Sequence, residues 1–257
     1  MWVIADYEAS SLFSLKSSAA TSSAGKTLLV PTPFALKMAL LDVDIRTRGL
    51  EQGKQDFEWL RDLEVAIVPA PRAVVTNLFA KIQKPRRADG EKKEAKVKQE
   101  SEVEETNDEG GEVIGSGPFG PTIAYREYVH LQGRMSFGFS PRSNSDEAKA
   151  SEVLPQLLVQ LNYLGKRGGF FQMLELAQKV SQLPMNFVPL TNQDKIFIGE
   201  ILQQLDDCGP DLTFEKADIY SDKKIKLTKE RILRPIVLPY RLKQSSRSYS
   251  YYQRIEE

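Results

Sequence analysis

Four short stretches hold the residue types that could do chemistry. His130 is the sole histidine, which removes any multi-histidine metal cluster or paired-histidine ribonuclease mechanism from this chain. It lies in TIAYREYVHLQ beside Tyr125, Arg126 and Tyr128, where general acid–base work is open to it. Strand alternation puts Arg126, Tyr128 and His130 on one face, as in an ordinary half-solvated strand, and that structural role is the favoured reading. Cys208, the sole cysteine, follows Asp206 and Asp207 and has no cationic sequence neighbour to favour a thiolate, so it reads as inert. SAGKT, residues 23–27, resembles a phosphate-binding loop, but the GxxxxGK[ST] spacing fails because position 20 is Ala20. In LGKRGGFFQ, residues 164–172, the glycines admit positive φ and close backbone approach to a ligand. Lys166 and Arg167 can meet phosphates as a point charge and a bidentate fork, and Phe170 and Phe171 offer rings to an unpaired base. The alternative is that Gly165 ends a preceding helix and both phenylalanines belong to the core. The residues alone leave these two readings open.

The elements that must position these groups follow from pattern. A chain of 257 residues with 41% hydrophobic content can bury a sizeable core, and one compact body with insertions is expected. No apolar run approaches the roughly 20 residues of a membrane span. MWVIADYEASS lacks the features of a secretory signal, and one cysteine suits a reducing cytoplasm. A soluble, cytoplasmic protein with no membrane partner and no cofactor or metal is expected. WVIADYEA and LFSLK read as a bent or paired strand. PTPFALKMALLDVDIRTRG reads as a helix with Pro33 in its first turn, Gly49 as its stop, and Phe34, Met38, Leu41 and Ile45 on one face. Strand signals run from Glu64 to Ile82 and through GPTIAYREYVHLQGRMSFGF. Glu152–Leu164 and Lys195–Leu205 read as helices, DLTFEKADIY and RILRPIVLPYRL as strands, and FFQMLELA as either. This order predicts an α+β fold, a ferredoxin-like (RRM-like) antiparallel sheet with helices on one face.

The formal net charge of zero conceals segregation. Lys84–Glu112 carries 7 basic and 10 acidic residues with almost no apolar ones, which predicts a disordered charged insertion over 84–117. Lys223–Arg254 carries 10 Lys or Arg against Glu230 alone. There, basic residues supply attraction to phosphates, and Tyr240, Tyr249, Tyr251 and Tyr252 can stack on bases or dock onto protein. The expected organisation is a single domain from 1–83 and 118–222, the insertion, and a basic aromatic C-terminal segment over 223–257.

The order of segments resembles a known family. FSLKSSAATSSAGKTLLVPTPFALKMALLDV is similar to the amino-terminal region of CRISPR-associated family five, a branch of the repeat-associated mysterious proteins with ferredoxin-like folds. IAYREYV and LNYLGKRGGFF sit where that family has a later strand and its glycine-rich loop. The resemblance implies a non-catalytic, RNA-binding subunit of a type I Cascade surveillance complex for antiviral defence. Such a subunit caps one end of the complex, holds the 5′ handle of the CRISPR RNA, contacts the backbone and large subunits, and leaves target DNA as a further partner. Carried onto this chain, it implies handle contacts from Lys16, Ser17, Ser18, Lys26 and the loop Lys166, Arg167, Gly168, Gly169, Phe170 and Phe171, with Arg126 from the later strand. The insertion would occupy the position of the family's projecting thumb, and Lys81, Lys84, Arg86 and Arg87 at its root are better RNA contacts than its acidic middle. One branch of the family cuts its own precursor, so a metal-independent endoribonuclease using His130 or a tyrosine–lysine pair is the alternative. A protein-interaction module with a basic tail is the third reading.

Overall fold

The computed structural model describes residues 1–17, 26–85, 119–165, 168–192, 201–218 and 220–255. The elements in chain order are β1 (Trp2–Ala9), α1 (Pro33–Arg48), α2 (Leu50–Arg61), β2 (Glu64–Val68), β3 (Arg72–Pro85), β4 (Phe119–Gln132), β5 (Met135–Ser140), α3 (Glu147–Gln160), β6 (Phe171–Val180), β7 (Val188–Pro189), β8 (Ile201–Cys208), α4 (Phe214–Ala217), β9 (Arg231–Leu238), β10 (Tyr240–Ser245) and β11 (Tyr249–Arg254). They form two compact units, Met1–Leu78 with Arg126–Glu257, and Phe79–Tyr125. The described part of the second unit is the end of β3 and the start of β4. Of the expected insertion, Lys84 and Pro85 end β3 and the remainder lies outside the described residues.

The larger unit is built on an antiparallel sheet of order β6-β1-β5-β2-β7. Counting only β1, β2, β5 and β6 as first to fourth strands, with α1 after the first and α3 after the third, the spatial order is 4-1-3-2, the ferredoxin-like arrangement. Alternation decides the faces. Val3, Ala5 and Tyr7 of β1 are buried toward the helices, and the Tyr7 hydroxyl donates to the Leu158 carbonyl of α3 at 2.8 Å. On the other face Trp2 and Ile4 pack with Ala66, Val68, Leu183 and Phe187. The segment between β6 and β7 supplies the last two of these.

The first helix follows from its ends. The Thr32 hydroxyl accepts from the Ala35 N–H at 3.2 Å, Pro33 opens the helix, and Gly49 closes it at φ +94° with its N–H on the Ile45 carbonyl. Its most deeply buried apolar positions are Leu36, Leu40 and Val43, whereas Phe34, Met38 and Ile45 of the expected face are half-buried. The difference arises because α1 packs against both α2 and β8, so more than one stripe is covered. The sequence reading left α2 unassigned. Gly53 in its middle looks like a breaker, yet a Cβ there would collide with Ile45, so the glycine permits close helix approach. Buried Asp44 and Asp56 pair with Arg48, and Lys149 of α3 also reaches Asp56, tying the three helices together.

Two other segments differ from expectation, and two more are refined by the structure. Residues 201–205 belong to strand β8, not to a helix, because Ile201–Cys208 pairs residue for residue with Leu238–Arg231 of β9. That pairing overrides the helix propensity of Leu and Gln. Within DLTFEKADIY the described residues form the short helix α4, led by Thr213, and no strand. The ambiguous FFQMLELA is strand, pairing with β1. The long strand signal of 64–82 is two strands, broken at Pro69–Pro71.

A second sheet has the order β10-β11-β3-β4. The basic C-terminal segment therefore contributes three strands, β9 to β11, to the larger unit. Tyr240 is fully buried, its hydroxyl donating to the Ala70 carbonyl at 2.7 Å, so it anchors the sheet and offers no stacking face. Arg254 fastens the end of β11, with its guanidinium on the Pro69 carbonyl and its backbone N–H on that of Pro71.

Candidate nucleic-acid interface

The glycine loop joins α3 to β6, and its shape comes from hydrogen bonds to the chain just after β1. Ser11 donates its hydroxyl to the Gly168 carbonyl at 2.7 Å and accepts from the Phe170 N–H at 2.6 Å, while the Ser10 N–H donates to the Phe170 carbonyl at 2.9 Å. The Leu164 N–H reaches the Gly169 carbonyl and the Phe171 N–H that of Asn162. Gly165 and Gly168 hold φ of +67° and +130°, the region where glycine is at no disadvantage. At Gly169 a side chain would press on the Phe13 ring, 2.7 Å from a Cβ. Helix α3 ends at Gln160 with Leu161 as its cap, so Gly165 is not its cap.

The two phenylalanines part company. Phe171 is 2% exposed, with its ring edge-on to Tyr7 at 4.9 Å and to Phe137 at 5.9 Å. It anchors the loop from the core and cannot stack on a base. Phe170 is 47% exposed and keeps that possibility. Lys166 and Arg167, with Ser18, Arg86 and Arg87, lie outside the described residues.

Lys16 and Ser17 lie on the strand-like run after β1, and Lys26 begins the chain's return. Lys16 bridges Thr27, and the Leu28 N–H donates to the Leu15 carbonyl at 2.8 Å. This pair of segments borders two clefts. One, of about 530 Å³, is lined by Lys16, Phe34, Met38, Tyr163, Gly165 and Arg231, among others. The other, of about 350 Å³, has a polar wall of Ser17, Lys26, Asn77, Glu127, Gln204 and Ser250 with Tyr252. The fold thus brings Lys16 and Gly165 to one cleft, while Ser17 and Lys26 face the next. Arg126 and His130 are on β4, and Lys81 and Lys84 fall within β3, in the smaller unit.

Sequence reasoning missed the residues that give the larger cleft its polar wall. The Arg231 guanidinium lies 4.0 Å over the Phe34 ring and donates to Asp206 at 2.5 Å. The Tyr163 hydroxyl donates to Asp42, which also accepts from Arg46. Behind this wall, Lys37 is buried against Asp207 at 2.6 Å, and Arg234 reaches the other Asp207 oxygen at 3.0 Å. Burial pushes the neighbouring Cys208 thiol up to about 12, so it stays protonated and inert. The signal for this cluster was present in the adjacent aspartates of DDC and the two arginines of RILR, and only the β8–β9 register shows that they meet.

Among the described residues no helix is long and apolar enough to cross a membrane. The βαββαβ order with its 4-1-3-2 sheet makes the chain an elaborated ferredoxin-like protein. Neither the protein-family models nor the curated proteins compared with the chain give a match. Among solved structures it is similar to a CRISPR protein from Archaeoglobus fulgidus, at 13% identity over 99% of this chain and 92% of that one, with a TM-score of 0.46. It is also similar to a chain of a CRISPR RNA-guided surveillance complex, at 11% identity over 92% of this chain and 90% of that one, with a TM-score of 0.44.

Proposed function

We propose that this protein is a non-catalytic RNA-binding subunit of a type I Cascade surveillance complex, holding the 5′ handle of the CRISPR RNA and capping the backbone. The observation that carries the reading is the meeting of Lys16, Gly165 and Arg231 around one apolar cleft, on the ferredoxin-like scaffold that the family resemblance implies. Apolar walls with Lys16 and Arg231 at the rim, the latter held by Asp206, suit an unpaired base and its phosphate. The polar second cleft lies beside it, across the Lys16–Thr27 pairing, and offers amide and hydroxyl groups to base edges. Partners are the backbone and large subunits.

The test is to purify the protein from its native cells with whatever accompanies it and sequence the bound nucleic acid. Short RNAs with one shared 5′ sequence, together with other subunits, are expected. A preparation free of nucleic acid overturns the reading and leaves the protein-interaction module. Replacing Lys166 and Arg167 together with Ala should weaken handle binding without unfolding the chain. His130→Ala should leave both handle binding and RNA length unchanged, and loss of RNA processing in that variant would make the protein an endoribonuclease.

A further inference from the structure

The second sheet has one face in the core and one turned outward. Ala73, Val75, Val129, Leu131 and Tyr240 are buried on the inner side. Alternation then places Arg72, Val74 and Thr76 of β3 outward, and the register sets Gln253, Tyr251 and Tyr249 of β11 opposite them. Arg241 of β10 faces Gln253, and Gln244 faces Tyr251. On the far side of β3, strand β4 presents Arg126, Tyr128 and His130 by the same alternation, since Val129 and Leu131 point inward. The only carboxylate in this part of β4, Glu127, points inward, where it accepts the Thr27 N–H at 2.8 Å. So among the described outward positions of residues 72–78, 126–132, 240–245 and 249–254 there is no Asp or Glu. Arg126 is half-buried, and its Nε, itself buried, finds no hydrogen-bond acceptor among the described residues. Lys243 and Arg247 extend the positive charge to the β10–β11 turn.

We propose that this outward sheet face is a second nucleic-acid surface, separate from the two clefts, on which single-stranded RNA lies with bases stacked on Tyr128, Tyr249 and Tyr251 and phosphates met by Arg72, Arg126 and Arg241. Tyr249 and Tyr251 are two residues apart on one strand face, so their side chains leave the strand about 6.8 Å apart. That is about twice the 3.4 Å rise between stacked bases, leaving room for a base between the rings. A face of aromatic rings and cations without carboxylates complements a polyanion with exposed π-faces better than it complements a protein surface of mixed charge. The proposal does not depend on the handle reading: it uses neither the glycine loop nor the cleft residues, and it shares only Arg126 with the handle contacts that the resemblance implies.

The experiment measures fluorescence anisotropy of a labelled oligouridylate on the full chain at several salt concentrations. Tyr249→Ala with Tyr251→Ala should weaken binding about tenfold per ring, while the two Tyr→Phe replacements should retain it. Arg72→Ala with Arg241→Ala should lower the salt slope by about 0.7 per cation removed. Circular dichroism melts confirm that each variant is folded. Unchanged affinity in both Ala pairs overturns the proposal. So does displacement of the RNA by polyglutamate at equal affinity, which would assign the face to an acidic protein. Loss of binding in the Lys166→Ala, Arg167→Ala variant, with none in the sheet variants, overturns this inference and leaves the handle reading standing. The reverse pattern does the opposite.

Discussion

The charged cluster behind the cleft and the outward face of the second sheet use the same cations in opposite ways. In the cluster each cation is matched: Lys37 and Arg234 share Asp207, Arg231 holds Asp206, and Lys216 holds Glu230. On the outward face Arg72 and Arg241 are exposed beside tyrosines and amides, and no described outward position of those strands is acidic. A net charge of zero thus describes neither region. Buried ions must be matched because desolvation is costly, whereas solvated cations can be held for a ligand at little cost to the fold.

The comparison is tested most severely in the interior. Lys37 is 1% exposed, so Lys37→Ala leaves Asp207 buried with one partner fewer, and a loss of about 3–5 kcal/mol in urea unfolding is expected. A loss below about 1 kcal/mol would mean that the cluster is solvated and the contrast false.

Alkali should sharpen the same contrast. Burial raises the Cys208 thiol from 9.0 to about 12, and raises the hydroxyls of Tyr7 and Tyr240 above the usual tyrosine range. The unfolded chain releases these protons first. The stability contributed is therefore whole below the ordinary thiol value of 9.0 and is lost as pH rises toward about 12. Each such group costs at most about 1.4 kcal/mol per pH unit within its window. Unfolding midpoints followed from neutral pH upward should fall first above the thiol value, and a flat profile would show that the three groups are not buried in solution.

The smallest effect belongs to the outward face. Arg72→Ala and Arg241→Ala should each change stability by no more than about 0.5 kcal/mol, as measured by thermal melting. A larger loss would make these arginines structural, and would bring the two regions closer in kind.

Local chemistry was legible in the residues themselves. Thr32-Pro33 and Gly49 mark the ends of α1, and the alternation of WVIADYEA and TIAYREYVHLQ assigns strands and their faces, because caps and periodicity act within a few residues. The α+β order, with helices on one side of an antiparallel sheet, followed from those signals. Long-range pairing was not legible. ILQQLDDC carries good helix formers, and only its partner β9 makes it a strand. The sequence pattern leaves helix α2 unassigned, and only Ile45 packed against it explains Gly53 in its middle. Phe170 and Phe171 are the same residue type in adjacent positions, yet one faces water and the other lies against Tyr7. Likewise Tyr240 and Tyr251 are equal in composition, and the register of β10, β11 and β3 sends the first into the core and the second outward. Residue type sets what a side chain can do; which face it takes depends on partners dozens of residues away, and only the folded chain brings those together.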